Sequence, residues 1–194
     1  MIADGRVLSA IASVPRELFV PRRERKRAYD NVALPINCGQ TISQPLVVAR
    51  MLEMLALRAD DRALDVGTGS GYHAALLALL CDHVWTIERH EQLSAEAAAA
   101  IDQLGIDNVT FVVGDGWAGL RDRAPFDAIN VAAAAGEAIP SALEDQLAPG
   151  GRMVAPVGTI DQHLVLAQRT PEGIIHAKLE AVRFVPLVRE EGEG

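Results

Sequence analysis

This sequence predicts a doubly wound α/β fold with a mostly parallel sheet, and three observations predict it. From Arg62 onward, short β-branched or apolar runs alternate with alanine- and leucine-rich runs of helical spacing, the pattern of strands joined by helical crossovers. Most of the strand candidates are apolar nearly throughout, as strands covered on both faces of a parallel sheet must be. A glycine-rich turn, DVGTGSGY at 65–72, separates the first of these strands from the first of these helices, where sheets of this class hold ligands. The 194 residues suffice for one well-buried domain.

Residues 1–45 read as a small N-terminal helical segment, broken by Pro15, Pro21 and Pro35. Its opening, MIADGRVLSAIASVPRELF, has an apolar stripe interrupted by Asp4 and Arg6, which suits an amphipathic helix and lacks the continuous apolar stretch of a signal peptide. The basic run RRERKR at 22–27 reads as a solvated helix face. Within GQTISQP, 39–45, Ser43 and Gln44 stand before Pro45 as residues do at a helix start, where a side-chain oxygen takes an orphan N–H and proline fits the first turn.

The core, 46–187, carries strand candidates RALDV (62–66), HVWTIE (83–88), NVTFVV (108–113), DAINVA (127–132) and RMVAPV (152–157). Helices are expected over 72–81, 91–105 and 137–147, laid on both faces by right-handed crossovers. HLVLAQRT (163–170), a turn at Pro171–Gly173 and IIHAKLEAVRFVPL (174–187) form a C-terminal antiparallel strand pair. The tail is 188–194, and its EEGEG end is expected to be disordered.

Composition narrows the function. A net charge of −8 opposes a surface built for nucleic-acid phosphates, and no run approaches the roughly 20 apolar residues that span a bilayer. Cys38 and Cys81 lack ligand spacing and read as reduced thiols of a cytoplasmic protein. No Walker, HExxH or GxSxG motif occurs. His73, His83, His90, His163 and His176 are scattered, so no metal site is expected; His73 lies nearest the glycine turn and is read as a packing residue.

Gly67, Gly69 and Gly71 let the backbone turn tightly and a ligand approach. Glu88 ends the second strand roughly 20 residues further on, where an acid accepts ribose hydroxyls, and GDG at 114–116 brings Asp115 to the same sheet edge. Two cofactors compete for such a site. A nicotinamide dinucleotide calls for GxGxxG and a helix N-terminus facing pyrophosphate. Here the loop is GxGxG, and Asp65 before it would repel a pyrophosphate while accepting a hydrogen bond from a cationic amino-acid end. S-adenosylmethionine therefore fits better.

The blocks LPINCGQTISQP, LDVGTGSGY, VWTIER, GDGWAGL, PFDAINVAAA, LAPGGRMVAPVG and VRFVPL resemble, in order and spacing, the protein-L-isoaspartate O-methyltransferases, over nearly the whole chain from Val14 to Leu187. That resemblance implies a single Rossmann-like class I methyltransferase domain. Its implied substrates are L-isoaspartyl residues of damaged proteins and peptides, whose free carboxylate is methylated to begin repair through a succinimide. S-adenosylmethionine is the implied donor, S-adenosylhomocysteine the product, with no metal. The family's active-site serine falls on Ser43, with Gln40, Thr41 and Ile42 on the cofactor side and further cofactor contacts at Asp65, Gly67, Gly69, Gly71, Glu88, Arg89, Asp115 and Gly116. A carboxyl methyltransferase dedicated to one peptide or small acid is the alternative reading. Such a nucleophile is already ionised at neutral pH and needs no general base, so a hydroxyl at Ser43 that orients it is sufficient.

Overall fold

In the computed structural model, which describes residues 2–189, Pro15 and Pro21 each stand just before a turn of the N-terminal segment. The Asp4 side chain caps α1 (Gly5–Ser13) by accepting from Arg6 N at 2.8 Å. Two 3₁₀ turns follow, Arg16–Phe19 and Arg22–Arg27. The short strands β1 (Leu34–Pro35) and β2 (Thr41–Ile42) pair antiparallel around a turn in which Cys38 and Gly39 adopt positive φ. Pro45 opens α2 (Pro45–Leu55), whose inner face buries Val48, Met51, Leu52 and Leu55.

The alternating part follows the expected order. It runs β3 (Arg62–Val66), α3 (Tyr72–Ala78), β4 (His83–Glu88), α4 (Glu91–Asp102), β5 (Val109–Val113), β6 (Phe126–Val131), α5 (Ser141–Glu144), β7 (Leu147–Val157), β8 (Gln162–Thr170) and β9 (Gly173–Val182). The sheet order is β5-β4-β3-β6-β7-β8-β9, parallel from β5 through β7 and antiparallel at the last two joints. The strand β8 is thus internal and β9 forms the edge. Successive residues of β3 enter opposite apolar clusters: Ala63 joins the one containing α1 to α4, and Leu64 joins Ile129, Leu143 and Met153 on the other side. Among the described residues the second face is covered by the short helix α5 and by the segment around the 3₁₀ turn Arg121–Arg123, through Leu120 and Ala124.

Several boundaries differ from the sequence expectation, among them the end of the helix expected over 91–105, which stops at Asp102, and the start of the strand expected from Arg152, which begins at Leu147; three of the differences have a clear physical reason. The helix expected over 137–147 shrinks to Ser141–Glu144, because Pro140 disfavours helix before it and Leu147 already pairs with Phe126 as the first residue of β7. The helix expected over 72–81 ends at Ala78 in a turn closed by Leu80 N and Cys81 N on the Leu77 carbonyl. The last strand stops at Val182: the Gln162 side-chain amide donates to Phe184 O at 3.2 Å and accepts from Phe184 N at 2.6 Å, drawing the chain off the edge. Residues 185–187 then cross to Ala134, whose N–H donates to Val185 O and whose carbonyl accepts from Leu187 N, both at 2.8 Å. The expected disordered EEGEG segment, 190–194, lies outside the described residues.

Candidate active site

Chain order reverses on either side of β3, which pairs with both β4 and β6, and a crevice opens beyond the carboxyl ends of those strands as that topology requires. Counting its open mouth and the solvent space there, the cleft has about 850 Å³. Gln40, Thr41, Ile42, Ser43, Gly67, Gly69, Glu88, Arg89 and Gly116 all line it, so the structure brings together nine of the twelve residues singled out from sequence. Asp65, Gly71 and Asp115 do not line it.

Each of the three has a different task. Asp65 is 0% exposed, facing Asn130 and Thr86 across its neighbouring strands. Its Oδ1 accepts from Asn130 Nδ2 at 2.7 Å and its Oδ2 from Thr86 Oγ1 at 2.8 Å. Thr86 has spent its only proton, so Thr68 Oγ1 donates to it at 2.6 Å. This chain of side chains ties the glycine loop to the sheet from below. Burial pushes the Asp65 pKa up to about 6, with the Asn130 and Thr86 hydrogen bonds pulling against it. The expected contact between Asp65 and the cationic end of a cofactor is therefore corrected to support of the loop. Gly71, at φ +87°, begins α3 where a Cβ would stand 2.8 Å from the Ala97 Cβ of α4; its hydrogen lets the two helices approach. Asp115 shapes a turn, its Oδ1 accepting from Trp117 N at 2.9 Å. Gly116, next in line, lies so close to β3 that a Cβ would meet Val66 Cγ1 at 2.7 Å.

Glu88 occupies the other position. It ends β4 at 6% exposure, its Oε2 accepting from Gly69 N at 2.9 Å and its Oε1 from His90 N at 3.0 Å. Two backbone donors hold the carboxylate at the cleft wall, and its remaining lone pairs can accept from a ligand. Arg89 beside it is exposed at the rim.

The other wall is the β2–α2 junction. Gln44, not Ser43, is the N-cap of α2, and its side chain makes no capping bond. The N–H of Leu46 is satisfied by Asn31 Oδ1 at 3.1 Å. The capping reading of Ser43 is thus corrected: Pro45 at the first helical position moves the cap one residue on. Ser43 lines the cleft, and its carbonyl accepts from Arg16 Nη2 at 2.8 Å. Val185 to Val188 close the cleft from the C-terminal side.

Sequence reasoning missed Ser70, Tyr72, Ala132 and Ala133, which also line the cleft, and Asn130 and Arg16 behind it. Asn130 had a signal, a polar residue inside the apolar run DAINVA; Arg16 had none. His73 is both packed and cleft-lining, and burial, assisted by Arg16, pushes its pKa down to about 4, so it stays neutral. Among the described residues no group of three or more His, Cys, Asp or Glu side chains could hold a metal ion. No helix among the described residues is long and apolar enough to cross a membrane.

Comparison with known proteins decides among the chemistries such a cleft could serve. The family model described as Protein-L-isoaspartate(D-aspartate) O-methyltransferase (PCMT) matches residues 1–192. The chain belongs to the protein-L-isoaspartate O-methyltransferase family. A protein-L-isoaspartate O-methyltransferase of Vibrio vulnificus strain YJ016 is 52% identical over 187 residues, 96% of this chain and 89% of that relative. One of Aeromonas hydrophila is 51% identical, covering 96% and 91%. Among solved structures, one titled protein-L-isoaspartate O-methyltransferase superposes with a TM-score of 0.85 at 26% identity, covering 94% of this chain and 61% of that longer one. A Plasmodium falciparum protein solved as a protein-L-isoaspartate O-methyltransferase in complex with S-adenosyl-L-homocysteine gives 0.82 at 27% identity, covering 96% and 92%. The Rossmann-like class I methyltransferase fold of this family is the fold described above.

Proposed function

We propose that the whole chain acts as one cytoplasmic domain that transfers the methyl group of S-adenosylmethionine to the free carboxylate of L-isoaspartyl residues in damaged proteins and peptides, the first step of their repair through a succinimide. The carrying observation is a cleft that pairs a backbone-held carboxylate, Glu88, with a hydroxyl, Ser43, and lines both with backbone groups and apolar side chains. The cleft's histidine, His73, is buried and neutral. The cytoplasm suits the two free cysteines. The dedicated single-substrate alternative is not favoured by relatives that all carry the isoaspartate name.

The donor set suits S-adenosylmethionine. Glu88 keeps lone pairs for ribose hydroxyls, Gly67 and Gly69 let the ligand approach the loop backbone, and Gln40, Thr41 and Ile42 stand on the same cleft. When bound, S-adenosylmethionine supplies a methyl carbon to a carboxylate oxygen while the carbon–sulfur electron pair stays on sulfur, leaving both partners uncharged. This chain's residues need only position and desolvate the acceptor. Ser43 Oγ donates to the acceptor carboxylate and fixes which oxygen points inward. A second groove shares Thr41, Ser43, Ala132 and Val185 with the cleft and continues along Ala181–Phe184; it provides the path for an extended peptide, bound through its main chain.

Methyl transfer to an isoaspartyl peptide, and none to its aspartyl twin, is the decisive assay. Because Ser43 is not the cap, Ser43→Gly should cost stability no more than about 1 kcal/mol, the backbone entropy that a glycine adds, and leave cofactor affinity near wild type. Single-turnover transfer should fall by about ten- to a hundred-fold, the loss of one orienting hydrogen bond of about 1.5–3 kcal/mol to a charged group. Wild-type transfer by that variant would remove Ser43 from the reaction.

A further inference from the structure

Behind Ser43 lies a buried cation that no anion among the described residues pairs with. Arg16 opens the first 3₁₀ turn at 1% exposure. Its Nε donates to Ala28 O at 2.7 Å and its Nη2 to Ser43 O at 2.8 Å, and the guanidinium carbon stands 4.9 Å from the centre of the Tyr72 ring. Among the described residues its Nη1 has no hydrogen-bond partner, and no carboxylate forms an ion pair with it. The adjacent Glu17 accepts instead from Tyr29. The titratable side chains around the guanidinium, Tyr72, Tyr29 and His73, bear no negative charge at neutral pH.

An arginine in such a place stays protonated, and removing its charge from water is unfavourable unless something answers it. Two carbonyls and a ring face answer it in part. The same residues point to what completes the balance, since Ser43 and Tyr72, both touched by Arg16, line the cleft. Because Arg16 is buried in this wall, its charge acts on the cleft with weaker screening than a surface charge would.

Building on the activity proposed above, we propose that Arg16 is a positioning residue with two effects: it holds the backbone of Ser43, and it supplies the positive charge that an anionic acceptor answers, so that the cleft retains the carboxylate and releases the neutral methyl ester. The acceptor loses its negative charge when its oxygen takes the methyl group, and with that loses its attraction to Arg16. The guanidinium donates to the Ser43 carbonyl and not to the acceptor, so it attracts the nucleophilic oxygen without masking it, which a direct contact would do.

Calorimetry on the S-adenosylhomocysteine complex tests this with an isoaspartyl peptide and the same peptide carrying a stable carboxamide in place of the free carboxylate. The wild-type protein should bind the carboxylate at least ten-fold more tightly. Equal affinity would overturn the proposal without any variant being made. Arg16→Met, shown folded by its melting curve and retained S-adenosylhomocysteine binding, should bring the two affinities together; a preference surviving there would also overturn it. Arg16→Lys keeps the charge but not the two-pronged grip, so it should retain the preference while kcat falls as Ser43 loosens. A purely structural Arg16 predicts no change in the preference in any variant. Wild-type transfer to the isoaspartyl peptide is measured alongside: its absence would count against the assigned activity, whereas intact transfer with equal binding counts against Arg16 alone.

Discussion

Asp65 and Glu88 look alike in sequence, each an acid near the end of an apolar strand beside the glycine loop, yet the structure uses them oppositely. Asp65 is still inside the ladder, with Val66 beyond it paired to Val131 and Ile87. Its oxygens are consumed by side chains of the neighbouring strands. Glu88 is the last residue of β4, and backbone N–H groups of the loop and of His90 bind it from one side only. Both are nearly fully buried, so burial does not separate them. What separates them is how far past the sheet each residue stands: one step inside makes a support, and the final position makes a ligand-facing wall.

The largest expected effect tests that division directly. Glu88→Ala should weaken cofactor binding by about 1.5–3 kcal/mol, the loss of hydrogen bonds to a charged group, as read by titration calorimetry. Asp65→Asn should leave that affinity within a few tenths of a kcal/mol, because the residue supports the loop without facing the ligand. Comparable losses from both changes would break the distinction.

Asp65 has its own signature in pH. Its folded pKa of about 6 lies above the ordinary aspartate value near 4, so the folded protein holds this proton more tightly than the unfolded chain. The stability this group contributes is complete below about pH 4 and is lost as pH rises through about 6. Asp65→Asn removes the titration. From pH 4 to pH 7 the variant should therefore gain on wild type by on the order of 2 kcal/mol in urea melts. The slope is the readout, since an amide must turn the Thr86 hydroxyl around and its absolute stability will shift. Parallel pH profiles would show that the carboxylate is not strained by burial.

How far the sequence anticipated this site follows from the same geometry. The strands were readable because both-face burial leaves an apolar run, and the glycine loop because positive φ at three alternate positions has few other solutions. The strand bounds 62–66 and 83–88 already put Glu88 last and Asp65 one residue in; what the Asp65 oxygens meet was not readable, because Thr86 and Asn130 reach them through registers with β4 and β6 that are set far along the chain. The same holds for Arg16, whose acceptors lie 12 and 27 residues away, and for the turn at Phe184, set by a side chain 22 residues earlier. The helix expected over 137–147 failed differently: its apolar spacing was genuine, but Leu147 serves β7 instead of a helix face.

The smallest expected effect concerns Arg89, the immediate neighbour of Glu88. Both line the cleft, and sequence placed both among the cofactor contacts, but Glu88 is fixed by two backbone donors while Arg89 is exposed to solvent. A long, hydrated side chain gives up rotamer freedom to make any contact, and water and salt screen its charge. Arg89→Ala should therefore change cofactor affinity by no more than about 0.5 kcal/mol, with little dependence on ionic strength. The comparison with Glu88→Ala is informative because the two positions share a strand end and differ in how the side chain is held. A loss from Arg89→Ala as large as that from Glu88→Ala, fading as salt is added, would mean that charge at the rim governs binding, and the buried, backbone-held carboxylate would no longer be the principal anchor.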